Sequence, residues 1–374
     1  MLFAPFADSS LLGSVLPAMP FFSAYYPADA PDGSFGIGCH WHHHTPPNAI
    51  LKVDSMMGRY LMQRLLLAIP TVFGVTVLIF VAMRVIPGDP LRSIIGEGQI
   101  YVLTDEELNA VKASLGYDKP LVIQYLVWMG DVAKGDLGYS FWQRDRSIAD
   151  MVIRRGPITL QISIMSLLLA WLIGLPAGIV TAMWRNTPLD YVVRSLVTLL
   201  MAIPNFWLGL AMILVTILIW NWRPPMELVS LWESPWKNLQ MTIGPAIAMG
   251  VGFGAIIARM IRSSMLEVLR EDYVRTAYAK GLPSSTIIVR HALRNALLPT
   301  ITLSGLYLGA TLGGAVAVER AFSVPGLGYS LIYAVQARDW TVIQSLVLLF
   351  AVAYVIINLV VDIIYGFIDP RIRY

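Results

Sequence analysis

The densest cluster of chemistry-bearing residues is "CHWHHH", Cys39 to His44. Thiolate and imidazole are good ligands for zinc or nickel. Pro and Gly nearby argue against a rigid cage, and the segment reads as a tail without fixed geometry. Beyond it, chemistry is sparse. Four of the five histidines lie in that tail, and the fifth is His291. No apolar run holds a His- or Ser-based catalytic constellation. One cysteine, Cys39, excludes an internal disulfide framework. Lys52, Lys112, Lys119, Lys134, Lys237 and Lys280 are each followed by something other than Ser or Thr. A Walker A phosphate loop is therefore missing, and the chain is expected not to hydrolyse ATP. Asp362 is the one acid well inside an apolar run. It lies close before Asp369, Pro370 and Arg371, which points to solvation at headgroup level. A proton- or ion-coupled carrier would need acids buried in several spans. The expectation is a protein that is no enzyme and holds no metal or cofactor.

The elements that carry these residues are apolar. Hydrophobic residues make up 56% of the chain and charged residues only 14%, with a mean hydropathy of +0.64. Soluble domains carry charge near a quarter. The net charge of +3 is too small to indicate a nucleic-acid partner. Runs of about 20 apolar residues, enough to cross a bilayer core, recur along the chain. The spans fall near 61–83, 159–183, 192–220, 239–260, 298–318 and 342–367. The fold class is thus an all-α polytopic membrane protein with six transmembrane helices. Pro204 sits inside the third span and should kink it.

Residues 1–55 stand apart. They are rich in Pro, Gly, Ser and aromatics, and their first Lys or Arg is Lys52. The basic start of a secretory signal is missing, and "MMGRYLMQRLLL" at Met56 reads as a natural beginning. The first helix then occupies 56–84, a long extracytoplasmic segment 85–156, and the membrane core 157–374. In the long segment "TDEELNAVKASLG" has helical patterning. Thr104 serves as N-cap, Glu107 lies three residues on, and Gly116 ends it. Short-loop charges set the orientation. Arg185, Arg194, the basic residues after span four, Arg371 and Arg373 fall on one side if both termini are cytoplasmic.

One stretch breaks the apolar pattern. "EDYVRTAYAKGLPSSTIIVRHALRNALLP", Glu271 to Pro299, is charged, rich in small residues and interrupted at Gly281-Leu282-Pro283. It reads as two short helices. Val274, Ala277, Tyr278 and Gly281 share one face, and Gly281 with Pro283 stops that helix. Ser284 or Ser285 caps the second, striped by Ile288, Ala292, Leu293, Ala296 and Leu297. A helix lying on lipid headgroups would favour large apolar anchors. Ala277, Ala279 and Gly281 are small and let another protein approach, so the stretch reads as a docking element for a cytoplasmic partner.

This stretch resembles the cytoplasmic loop of permease subunits in bacterial ABC importers, closest to the dipeptide, oligopeptide and nickel class. The general signature there is E-A-A-x3-G-x9-I-x-L-P. Arg275-Thr276-Ala277 stands in place of E-A-A, Gly281 keeps its spacing, and His291-Ala292-Leu293-Arg294 replaces I-x-L-P. Both departures are typical of the peptide class. "VIPGDP" (Val85–Pro90), "LGYDKP" (Leu115–Pro120), "GDLGYS" (Gly135–Ser140), "ERAFSVPGLG" (Glu319–Gly328), "ARDW" (Ala337–Trp340) and "VDIIYGFIDPRIRY" (Val361–Tyr374) also match. The resemblance covers about 57 to 374.

It implies the type I permease fold of these importers in the bacterial cytoplasmic membrane. The implied partners are membrane lipid, a second permease subunit, identical or homologous, two ATP-binding cassette ATPase subunits, and an extracytoplasmic solute-binding protein. The implied cargo is di- or oligopeptides, with nickel, glutathione or another small solute as the alternative. The loop 261–298 would be the coupling loop, with Arg275, Thr276, Ala277, Gly281, His291, Ala292, Leu293 and Arg294 as its marker residues. Two further groups stand out from the residues themselves. Gly305, Gly309 and Gly313 form a repeated G-x3-G face suited to close helix packing or to lining a pathway. Glu319 and Arg320, with the Pro325–Gly328 turn, read as scaffolding at the outer end of span five.

Overall fold

The structure, a computed structural model, describes residues 48–85, 118–140 and 146–368. The Cys39–His44 cluster, the expected helix over 104–116 and the last six residues lie outside them. The described residues form no strand, and the single β-bridge joins Tyr139 to Ser147. The helices are α1 (Asn48–Val85), α2 (Leu121–Ala133), α3 (Ile148–Met183), α4 (Pro188–Ala202) and α5 (Asn205–Trp220). They continue with α6 (Pro235–Val268), α7 (Asp272–Ala279), α8 (Arg294–Phe322), α9 (Leu327–Gln336) and α10 (Trp340–Ile368).

Five stretches are long and apolar enough to cross a membrane: Met62–Val85, α3, α6, Ser284–Phe322 and Trp340–Ile363. The remaining expected span, the third at 192–220, differs from its sequence reading. The chain bends by 101° between α4 and α5, and only the two together are long and apolar enough to cross a membrane. Pro204 does more than kink a helix. It pushes Ile203 out of helical geometry, to φ −84° and ψ 124°. Proline alone does not decide this, because Pro70, Pro176, Pro245 and Pro299 all sit inside continuous helices. What distinguishes Pro204 is that the helices beside it are anchored separately. Asp190 is the buried residue of α4, and Gly209 is the buried residue of α5.

The centre of the molecule is the seam between α3 and α6. Ile162, Ser166, Ala170, Gly174, Gly178 and Ala182 recur every fourth residue along α3, and all are buried. Thr242, Ala246, Gly250, Gly254 and Ala258 do the same on α6. Rows of small residues let two backbones approach closely, which is how helices associate where lipid supplies no hydrophobic drive. A Cβ on Gly178 would lie 2.8 Å from the Ala258 carbonyl oxygen, and one on Gly250 would lie 2.7 Å from that of Ser166. Beside this seam, Phe253 of α6 stacks on Tyr307 of α8 with ring centroids 3.6 Å apart. Trp171 donates to the Ser304 hydroxyl at 2.9 Å.

The end of the bundle near α9 is tied by buried polar groups. Glu319 is fully buried and accepts from the Thr159 hydroxyl at 2.7 Å and the Tyr329 N–H at 2.9 Å. Thr159 in turn accepts from the Leu327 N–H at 2.9 Å. One carboxylate therefore joins α3, α8 and the start of α9, a scaffolding arrangement of the kind expected for this acid. Phe322, three residues on, packs its ring against Gly209 and Gly244.

α2 lies alongside α1. Tyr125 packs edge-on to Phe73 and Phe80 and shares a 2.7 Å hydrogen bond with Thr76. Its other face exposes Val122, Leu126 and Val127. Near the middle of α1, where its apolar stretch begins, Arg64 pairs with Asp362 of α10 at 3.2 Å, so this acid has a partner that sequence reading did not supply.

Candidate functional site

α6 ends at Val268, and a three-residue turn leads into the eight-residue α7. Val274 and Ala277 are buried, packed on Ile287 with Val268 and Leu269 alongside. Everything else on α7 is exposed, including Tyr273, Arg275, Thr276 and Tyr278. Arg275 and Asp272 form a 3.4 Å surface pair, a type worth well under about 1 kcal/mol. It leaves the face available.

The end of α7 is built from its sequence. Gly281 has φ +74°, a region L side chains rarely adopt. The Gly281 N–H donates to the Tyr278 carbonyl at 3.0 Å, and the Leu282 N–H to the Ala277 carbonyl at 3.3 Å. This is the Schellman pattern, in which a left-handed residue satisfies the last helical carbonyls. A Cβ on Gly281 would meet nothing within 4 Å. The turn is therefore open to the outside, and 278–285 form a continuous exposed run.

The second half of the stretch corrects its sequence reading. It is not a separate short helix capped by Ser284 or Ser285. Ser284–Thr286 open a turn whose N-cap is Pro283, with no side-chain cap bond. A π-helix, Ile287–Leu293, follows and runs without a break into α8. The wider π turn frees a carbonyl, and such turns often mark functional positions. The His291 carbonyl accepts from the Tyr273 hydroxyl at 3.4 Å, and the Asn295 amide donates to that hydroxyl at 2.7 Å. α7 is thus strapped to the base of α8.

The sequence-selected residues fall into two groups. Arg275, Thr276, Gly281 and Arg294 are exposed. Ala277 and Ala292 are buried, with His291 and Leu293 partly so, and these hold the loop to the body. The glycines of α8 divide as well. A Cβ on Gly305 would collide with Val361 and one on Gly309 with Tyr354, both on α10. Gly313 meets nothing within 4 Å, so close packing, one of the two expected roles, holds among the described residues at Gly305 and Gly309 and not at Gly313.

Sequence reasoning missed Asp190 and the small-residue seam. Asp190 is fully buried, its two oxygens accepting from Arg262 Nε at 3.2 Å and Nη2 at 3.0 Å. An acid beside a proline after a short turn looks like surface. The seam was visible as Ser166-x3-Ala170-x3-Gly174-x3-Gly178.

The family model for binding-protein-dependent transport system inner membrane components matches residues 174–374, and the model of its N-terminal part matches 57–163. The chain belongs to this family. It is a multi-pass inner-membrane permease of ABC importers, a class that works with ATPase and binding-protein partners. The permease is 39% identical over 319 residues to the glutathione transport system permease protein GsiC of Escherichia coli, covering 85% of this chain and all of the relative. It is 40% identical over 336 residues to the di/tripeptide transport system permease protein DppB of Pseudomonas aeruginosa, covering 84% and 98%. A chain from inward-facing conformations of the MetNI methionine ABC transporter aligns with 59% of the permease. That match has a TM-score of 0.48 and 22% identity, and it covers 96% of the MetNI chain.

Proposed function

We propose that this permease imports short peptides received from an extracytoplasmic binding protein, and that the exposed face of α7 with the Gly281 turn is where an ATPase subunit docks. The single observation carrying the docking reading is the division of α7. Two small or branched side chains hold it to the body, and the rest faces outward beside a glycine turn with nothing packed on it. A partner seated there grips an element continuous with α6 and strapped to α8, the helices around the central seam. ATP-driven closure of paired ATPases then moves those helices. ATP hydrolysis belongs to the partner subunits, and two permease chains, identical or homologous, form the pathway. Both termini lie in the cytoplasm, on the side of the basic loop. The peptide assignment follows the relatives, whose named solutes are di- and tripeptides and glutathione, itself a tripeptide.

Residues 1–55 precede the matched region, which begins at residue 57, and are not needed for transport in this reading. Residues 85–156 form the extracytoplasmic segment. Arg275, Thr276, Gly281 and Arg294 supply the docking surface, while Ala277, His291, Ala292 and Leu293 set its position.

Gly281→Asp tests the docking reading. The substitution strains a left-handed turn and places a charge in the contact. The variant is expected to insert and to bind the loaded binding protein, but to lose uptake and co-purifying ATPase. Full uptake with ATPase retained contradicts the docking role.

A further inference from the structure

We infer that the pair formed by the buried Asp190 and the partly buried Arg262 is a positioning pair that carries movement of the cytoplasmic loop into α4, the first half of the broken span. This rests on the docking reading of α7 and extends it. Asp190 is the only buried residue of α4. Its neighbours Leu189, Tyr191 and Val192 are exposed. Further along, Val193, Val197, Leu200 and Met201 form a stripe that is only half-buried, so the one fully buried hold at the start of the helix is a carboxylate. Arg262 grips that carboxylate with two donors, at 3.2 and 3.0 Å. A two-pronged contact fixes orientation as well as distance. A buried charge cannot part from its partner without being stranded, so the pair moves as a unit.

Asp190 reaches further. Its Oδ2 accepts from the Asn186 N–H at 3.0 Å, and Asn186 holds the left-handed position of the turn after α3, with φ 63°. One side chain thus gathers the end of α3, the start of α4 and α6. On the other side, Arg262 lies in the same helix as Val268, less than two turns from its end. Val268 packs beside Val274, Ala277 and Ile287 in the cluster that seats α7. The path from α7 to α4 is contiguous and short. The chain then bends by 101° between α4 and α5. With helical continuity lost at Ile203–Pro204, the only fully buried side chain fixing α4 is Asp190, at the end away from the bend.

The test uses the full complex in proteoliposomes with its binding protein. ATP hydrolysis and uptake are read together, and cross-linking from Thr276→Cys to the ATPase reports docking. Asp190→Asn keeps the shape of the side chain and removes its charge. It is expected to assemble, cross-link and hydrolyse ATP like the parent, while solute moved per ATP falls about tenfold. An unchanged ratio overturns the proposal. So does a loss of uptake that only tracks loss of assembled complex, which is what a purely structural pair would give. If Asp190→Asn fails to assemble, Arg262→Lys decides, since it keeps the charge and loses the fork; a parental ratio there overturns the proposal. Failure of Thr276→Cys to cross-link in the parent complex would sink the docking reading alone, and the ratio would still judge the pair.

Discussion

The α3–α6 seam and the α7 loop use small residues for opposite ends. In the seam, glycine and alanine remove side chains so that two backbones touch, and the space is filled. In the loop, Gly281 also lacks a side chain, yet nothing occupies the space beside it. A small residue in a membrane protein therefore has two meanings, and only its surroundings separate them. A filled approach marks an internal joint. An empty one beside a rigidly ended helix marks a place for a partner. The seam should resist change in any state of the transporter, whereas the loop should tolerate change in folding and fail in coupling.

The largest effect is expected in the seam. Gly178→Leu must push the Ala258 carbonyl and Ile261 aside. Overpacking commonly costs about 1–3 kcal/mol even where neighbours yield, and a backbone carbonyl yields poorly. The variant should give little or no folded protein in membranes, measured as the monodisperse fraction after detergent extraction. A well-folded Gly178→Leu protein would mean that the seam is looser than its geometry. Next comes Gly309→Leu, which meets the Tyr354 ring rather than backbone. A ring can rotate away, so the expected outcome is partial: reduced thermal stability, by about 1–2 kcal/mol, and slowed uptake. Wild-type melting and uptake would place Gly309 in open space. The smallest effect is Gly313→Ala. Nothing lies within 4 Å of the added carbon, and alanine favours a helix over glycine by about 1 kcal/mol. A slight rise in melting temperature is expected. A fall would show that a partner packs there in the assembled complex.

How much of this was legible in sequence depends on whether the signal was local. The apolar runs marked the spans because length and hydropathy are properties of the segment alone. Gly281 was legible for the same reason, since a helix-stopping glycine before a proline needs no tertiary partner. The break at Pro204 was not. Several other prolines remain inside helices, and the difference comes from separate anchors at Asp190 and Gly209. The second loop helix was misread because a serine after proline looks like a cap, while the π turn that joins it to α8 is fixed by packing of Ala292 and Ala296 in the core. Asp190 could be located only from Arg262, 72 residues away in sequence. The four-residue repeat of small residues in α3 and α6 was on the page, but which of several such stripes meets which is settled in three dimensions. Gly313 continues the stripe in sequence but not the contact, since nothing lies within 4 Å of its missing side chain.

The central claim is that the outward face of α7 meets an ATPase. The most direct measurement is site-specific cross-linking in the intact complex, with Cys39 replaced by serine. Thr276→Cys, exposed on that face, is expected to form an adduct with an ATPase subunit. Lys237→Cys, in the first turn of α6 at the end of that helix away from α7, is expected to form none. An adduct from Lys237→Cys, or none from Thr276→Cys in a complex that still transports, would contradict the account.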